Sequence, residues 1–192
     1  MLYYPVRLVG TVSNQNLHGK DPATMVIVTN PLFSEQAERL AAFHRQQSNF
    51  SVLVASTTDI YNEFSCGRQE LTGIRDFMKL IYDKASDSDK PKYLLLFGDG
   101  SYDPKNRLPN NNNMVPTFQS IESLITTNTY VTDDYFGIMG DSTGDSANGS
   151  LDIGIGRFPV TTVEEATIMV NKIFRYASKT DTTMSDWRNS MT

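Results

Sequence analysis

Aspartates are the residues of this sequence whose types and spacing point most directly to chemistry. They form three clusters, each at a loop or beside an apolar run: Asp99 with Asp103, Asp133 with Asp134, and Asp141 with Asp145 and Asp152. Carboxylates that folding brings together repel one another unless a cation or a basic group neutralises them. Calcium suits such groups because it takes roughly six to eight hard oxygen ligands. We therefore predict a calcium site with Asp99 and Asp152 as its main carboxylates; the alternative is a set of solvated turn acids.

The span 141–152 has the length of an EF-hand loop and carries acids at its positions 1, 5 and 12. An EF-hand needs a glycine at the sixth position and a bidentate glutamate at the twelfth. Ser146 and Asp152 stand there instead, and no helical pattern leads into the loop. We therefore reject the EF-hand and keep the looser calcium site.

A nucleophile with a nearby base is the other pattern that would indicate an enzyme. Cys66 is the only cysteine, and the two histidines, His18 and His44, both precede it. The first basic residue after Cys66 is Arg68, and no HExxH, CxxC or Walker A motif occurs. The segment after Phe97 only faintly resembles a GDSL hydrolase or a receiver-type phosphoacceptor, since no later histidine and no acidic pair accompany it. We predict no catalytic and no cofactor-binding residue.

The element that must position Asp99 is the apolar run 93–97, which ends at Gly98-Asp99-Gly100. A short run without polar alternation is typical of a strand buried on both faces. The glycines allow a sharp turn and leave the aspartate at the carboxyl end of the strand, where ligands bind in open α/β sheets. A ligand-binding role and a side-chain cap of the turn both remain open for Asp99.

The remaining pattern alternates strands with helices. The predicted strands are 25–29, 50–55, 92–98 and 151–158, and the predicted helices are 35–47, 59–64, 69–84 and about 162–178. The segment 130–139 is predicted to be a loop followed by a further strand. Strands and helices in this alternation indicate a doubly wound α/β fold: a three-layer sandwich around a mainly parallel sheet.

Composition places the chain among ordinary globular proteins. Its 192 residues are 39% hydrophobic and 20% charged, and the formal net charge is −5. No Lys/Arg cluster is present to meet phosphates, so a nucleic-acid partner is not expected. No apolar run approaches the roughly 20 residues of a membrane-spanning helix, and the first residues lack the layout of a signal peptide. With one cysteine, no internal disulfide is possible.

Five segments carry a resemblance to a known family. In order, they are 61–65, 74–83, 94–99, 132–135 and 152–159. Together they resemble the peptidase domain of the gingipain-type (C25) cysteine peptidases over about residues 24–188, and most of all its sortase-like members from the type IX secretion system.

The resemblance implies a caspase-like peptidase domain of two α/β subdomains, of which this chain is similar to the first. The catalytic histidine of the family lies in a Gly-His-Gly segment and its cysteine follows later; this sequence has neither motif. Cys66 and His44 are therefore not expected to form a dyad. The resemblance also implies a calcium site to which Asp99 and Asp152 correspond, with either Asp141 or Asp145 as a third acid.

The resemblance further implies what the whole protein does. We expect residues 1–23 to be an edge strand or linker, 24–180 the α/β subdomain, and 181–192 the start of the catalytic subdomain. The expected activity is a cysteine endopeptidase that removes C-terminal secretion signals from cargo proteins, in a bacterium, at the cell surface or outer membrane or after secretion. The expected partners are the catalytic subdomain, secretion-system proteins and cargo signals. A non-enzymatic module, stabilised by calcium or binding a partner, is the alternative.

Overall fold

A four-stranded parallel sheet forms the centre of the molecule. The computed structural model describes residues 10–11, 14–105, 107–122, 124–140, 147 and 149–178. Three strands of the sheet come first in the chain: β1 (Met25–Thr29), β2 (Val52–Ser56) and β3 (Tyr93–Phe97). A two-stranded antiparallel pair follows, β4 (Phe118–Gln119) and β5 (Val131–Thr132), and then β6 (Gly154–Phe158) completes the main sheet in the order β2-β1-β3-β6.

Four α-helices cover the two faces of this sheet. They are α1 (Ser34–Gln47), α2 (Thr57–Phe64), α3 (Leu71–Lys84) and α4 (Val163–Ser178). Val26 and Leu94 point toward α2 and α3, whereas the adjacent residues Ile27 and Leu95 point toward α1 and α4, so two apolar cores form. Because both faces are covered, β1 is buried along its whole length, as its continuous apolar run predicts. The three-layer α/β fold is confirmed.

The predicted helices and main-sheet strands all form, with ends displaced by up to three residues. The strand expected late in 130–139 is wrong: residues Asp134–Gly137 form a 3-10 helix instead. The hydroxyl of Thr132 accepts the Asp134 N–H at 3.1 Å, which turns the chain. The turn lets Tyr135 and Phe136 enter the core beside α3, and this burial outweighs the β-propensity of the segment. None of the described helices is long and apolar enough to span a bilayer.

Residues 14–20, expected to belong to a linker, are bound to α2 and α3. The Glu63 carboxylate accepts the Leu17 N–H at 2.7 Å and the Gln15 amide at 3.0 Å, and it pairs with His18 Nδ1 at 2.7 Å. Lys84 Nζ donates to two carbonyls of the same segment. Burial alone would raise the pKa of Glu63, but hydrogen bonds from Leu17, His18 and Gln15 outweigh it and lower the pKa to about 2.

Acid should weaken this attachment. A carboxyl group whose pKa is lowered on folding stabilises the folded state above its unfolded pKa, and the stabilisation is lost as the pH falls through the folded pKa. We expect Glu63→Gln to cost roughly 2–3 kcal/mol of unfolding free energy near neutral pH. The cost should shrink between about pH 4.5 and pH 2. Urea denaturation of both proteins across this range measures it.

Glu70→Gln is the matched control for this prediction. Glu70 is exposed and its side chain makes no capping hydrogen bond to α3. This variant should differ from the parent by less than about 0.5 kcal/mol at every pH. A cost of Glu63→Gln that does not change with pH would contradict the prediction.

Candidate functional site

Asp99 and Asp152 lie at opposite ends of the sheet. β3 and β6 are parallel and in register from Tyr93 opposite Gly154 to Phe97 opposite Phe158. Asp99 follows the end of β3, whereas Asp152 precedes the start of β6. At about 3.3 Å per residue, the two aspartates are separated by roughly 25 Å along the strands. The prediction that they share one calcium ion is therefore wrong.

Asp152 caps a turn at the amino end of the sheet. Its Oδ2 accepts the Met139 N–H at 2.9 Å, and its own N–H donates to the Gly137 carbonyl at 3.0 Å. These contacts explain an aspartate there without a metal. Asp141 and Asp145 lie outside the described residues, so their role as a third ligand stays a prediction. Among the described residues, no three His, Cys, Asp or Glu side chains form a group that suits a metal.

Asp99 is held at the carboxyl end of the sheet through its backbone. Its N–H donates to the Val160 carbonyl at 3.0 Å, and its carbonyl accepts the N–H groups of Met114 and Val115 at 3.0 and 2.9 Å. No described residue donates a hydrogen bond to its carboxylate. The side-chain cap is therefore not seen in the described part of the chain, and Asp99 is half-buried.

The backbone at Gly98 makes this arrangement possible. Its φ of +147° lies in a region that side chains rarely adopt, and a Cβ there would lie 2.9 Å from Met114 Cβ and 3.0 Å from Val115 Cγ2. The segment that contains Met114 and Val115 therefore packs directly onto the end of β3. Glycine at 98 is what allows this close packing.

Oxygen atoms of the following loop surround the space next to Asp99. A cavity of about 280 Å³ is lined by Asp99, Ser101, Asp103 and the asparagines 110–112. Asp103 is buried, and its Oδ2 accepts the N–H groups of Arg107 and Leu108. The Oδ1 atom of Asn111 is buried and has no hydrogen-bond partner among the described residues. Residues with anionic and with neutral oxygen atoms, all from a single loop, thus line one cavity.

Asp133, in the second acid cluster, forms an ion pair that was not predicted from the sequence. Arg157, on β6, donates from Nε and Nη2 to the two carboxylate oxygens of Asp133, both at 2.7 Å. The two side chains are only 13% and 23% exposed. A bidentate pair in this geometry is the strongest arrangement of these groups. Asp133 therefore has a basic partner and needs no cation.

Arg157 also satisfies the backbone at the carboxyl end of the sheet. Its Nη1 donates to the carbonyls of Gly98 and Val115, both at 2.8 Å, and its Nη2 donates to the Pro116 carbonyl at 3.2 Å. We call Arg157, Asp133 and these three carbonyls the arginine clamp. It fastens the loop 114–117 over the ends of β3 and β6. Asp133 lies in the motif 132–135 and Arg157 in the motif 152–159. Their opposite charges are the sequence signal from which this ion pair could have been predicted.

Cys66 and His44 do not meet. Gly67, next to Cys66, lines a cavity together with Asn30 at the carboxyl end of the sheet, whereas His44 lines a groove with Met25 at the amino end. Burial lowers the pKa of His44, and its ring contacts Ser48 and Phe50. Cys66 is exposed. Cys66 and His44 therefore lie apart in this structure.

Comparisons with known proteins agree with this architecture. Residues 18–192 match the profile of Peptidase family C25. The fold superposes on dimeric latent PorU from Porphyromonas gingivalis with a TM-score of 0.81 and 35% sequence identity, over 95% of this chain. The match covers 18% of the PorU chain, so this chain spans less than a fifth of that protein. No curated protein sequence matches. The chain belongs to peptidase family C25, the cysteine peptidases, and its fold is of the PorU type.

Proposed function

We propose that this chain is the first, non-catalytic α/β subdomain of a C25 cysteine endopeptidase. One observation carries the proposal: the family match spans residues 18–192, yet the sequence has no histidine after His44 and no cysteine after Cys66. A cysteine peptidase needs a thiol with a base nearby, and the separation of Cys66 from His44 supports the proposal. The subdomain would support a catalytic subdomain that follows it in a longer polypeptide.

We also propose that the whole protein acts as a type IX secretion signal peptidase or sortase. Support comes from 35% identity to PorU at the same fold. Its partners would be secretion-system proteins and the C-terminal signals of cargo, at the bacterial surface or outer membrane or in the secreted fraction. The alternative is a non-enzymatic structural or partner-binding module. The arginine clamp favours a structural role in either case, because it joins loops rather than exposing a reactive group.

A cleavage assay tests the enzymatic half of the proposal. This chain alone should not hydrolyse peptides in the presence of a reducing agent, and Cys66→Ala should leave that background unchanged. A PorU chimera that carries this chain in place of the matching segment should still cleave C-terminal cargo signals. Thiol-dependent cleavage by the chain alone, abolished in Cys66→Ala, would contradict the proposal. So would an inactive chimera that is folded and exported.

We propose further that Asp99 binds calcium together with oxygens of its own loop, without Asp152. Asp99 and Asn111 line the same cavity, and among the described residues neither the Asp99 carboxylate nor Asn111 Oδ1 has a hydrogen-bond partner, which supports the proposal. Millimolar calcium should then raise the melting temperature, and Asp99→Asn should abolish this rise. At about a hundred times the dissociation constant, the stabilisation would be ~2.7 kcal/mol.

Asp152→Asn is the matched control for calcium binding. It lies at the far end of the sheet, so the calcium-dependent rise should persist in this variant even if its own stability is lower. Loss of the calcium-dependent rise in both variants would contradict a site formed by Asp99 and its own loop alone. If calcium does not raise the melting temperature of the parent protein, the proposal that Asp99 binds calcium is wrong.

A further inference from the structure

The loop that connects β4 to β5 exposes several large aliphatic side chains. Ile121 and Leu124 are 95% and 92% exposed, and Ile125 and Val131 are each more than half exposed. Single exposed apolar side chains are ordinary on a protein surface, whereas a cluster of them on one loop marks an interaction site. We call residues 120–131 the hairpin loop.

Hydrogen bonds within the hairpin loop brace its backbone. The Ser120 N–H donates to the Tyr130 carbonyl, and the Ser120 hydroxyl accepts the Tyr130 N–H, both at 3.1 Å. The Leu124 N–H donates to the Glu122 carboxylate at 2.7 Å. The apolar side chains are therefore presented from a preformed backbone, which lowers the conformational entropy that is lost when a partner binds.

The base of the hairpin is fastened to the carboxyl end of the sheet. Phe118 stacks on Tyr135 with 5.0 Å between the ring centres, and the Thr117 hydroxyl donates to Asp133 of the arginine clamp at 3.0 Å. In α/β proteins, ligands bind at this end of the strands. The hairpin loop therefore stands beside the region where a peptidase domain of this architecture is expected to hold its substrate.

The charge of the hairpin loop narrows the kind of partner. Glu122 is the only charged residue in 118–132, and neither lysine nor arginine occurs there. A loop that binds a membrane surface normally carries basic residues for the lipid headgroups, so a lipid surface is disfavoured. Permanent protein interfaces are apolar and their centres contain few charged residues. The hairpin loop therefore suits a protein neighbour that stays in contact with it.

We infer that the hairpin loop is the surface on which the catalytic subdomain of the same polypeptide docks. Ile121 and Leu124 insert into an uncharged, apolar depression of that subdomain, and the contact removes both side chains from water. Covalent linkage favours this neighbour, because it keeps the two subdomains at a high effective concentration. The inference rests on the proposed function, since it requires a catalytic subdomain in the longer polypeptide.

Photocrosslinking locates the partner of the hairpin loop. In a PorU chimera that carries this chain, Leu124 is replaced by the photoreactive residue p-benzoylphenylalanine, and the products are mapped by mass spectrometry. Irradiation should join residue 124 to a peptide of the catalytic subdomain in the same molecule. A link to another domain, a link to a second copy, or no link would overturn the inference. So would the same linked peptide from Ile168, a 60% exposed position on α4.

Two serine substitutions measure what the contact contributes to stability. Ile121→Ser combined with Leu124→Ser should leave the melting temperature of this chain alone unchanged, because both side chains already lie in water. In the chimera, the same pair should lower the melting temperature of the peptidase domain by roughly 4 °C or more. Ile168→Ser is the matched control and should be neutral in both proteins. Equal melting temperatures of the parent and the doubly substituted chimera would contradict the inference, and so would an equal loss in the chain alone.

Neither measurement depends on catalysis. A chimera that cleaves cargo signals but gives no link from residue 124 contradicts the docking surface alone. A chimera that is linked as expected but cleaves nothing contradicts the proposed function and leaves the docking surface in place.

Discussion

Asp133→Asn is expected to lower the free energy of unfolding by roughly 2–4 kcal/mol. The asparagine keeps the shape of the side chain but removes the charge that neutralises Arg157. The Arg157 side chain is only 13% exposed, so water cannot replace the lost partner fully. For a chain of this size, the melting temperature should fall by roughly 2–4 °C per kcal/mol. Thermal and urea denaturation followed by circular dichroism would measure both quantities.

The control for this prediction is Asp87→Asn. Asp87 pairs with Lys90 at 3.1 Å, but its side chain is 99% exposed. An exposed pair contributes about 0–1 kcal/mol, so this variant should unfold close to the parent. Arg157→Lys provides a second check, because lysine retains the charge but cannot make the bidentate pair. It should be destabilised as well. Equal stability of Asp133→Asn and Asp87→Asn would show that the clamp contributes little.

Gly98→Ala is expected to cost roughly 2–4 kcal/mol, since it combines backbone strain with overpacking. The methyl group would meet Met114 Cβ and Val115 Cγ2 within 3.0 Å, and the backbone φ of +147° is unfavourable for alanine. The loop 114–117 would have to move away from the end of β3. Denaturation experiments would detect the loss, and changed amide signals of Met114 and Val115 would show the displacement.

Gly156→Ala is the matched control on the neighbouring strand. A Cβ at this position meets nothing within 4 Å, and its backbone is extended. Alanine there should be neutral or slightly stabilising, because it restricts the unfolded chain. If the two glycine variants were equally stable, the close contact at Gly98 would not be a constraint on the fold.

Much of the fold follows from local pattern. The apolar β-branched run of β1 and the amphipathic stripe of α3 each predict their element, because burial of these faces leaves few alternatives. The structure of the irregular region between β3 and β6 was not predicted from the sequence. Its structure depends on contacts with distant residues, such as the pairing of Asp133 with Arg157, and no periodicity records those contacts.

The prediction that Asp99 and Asp152 share a calcium ion was wrong for a reason that can be read from the sequence. In a parallel sheet, residues that follow a strand lie at one end and residues that precede a strand lie at the other. Asp99 follows β3 and Asp152 precedes β6, so a parallel sheet separates them. The spacing of the acids within each cluster does not show at which end of the sheet they lie. Whether an acid comes before or after its strand does show it. The buried Tyr61 hydroxyl and Asn113 Nδ2 atoms, which have no partner among the described residues, were not predictable, because the burial of single atoms depends on side-chain packing.

The arginine clamp has a consequence for how the chain folds. Its contacts join positions 24, 42 and 59 residues apart, so each closes a long loop whose entropy is lost before the contact forms. We expect such contacts to form after the folding transition state, once β3 and β6 have paired. The clamp should then act mainly on the rate of unfolding, and lengthen the lifetime of the native state more than it speeds its formation.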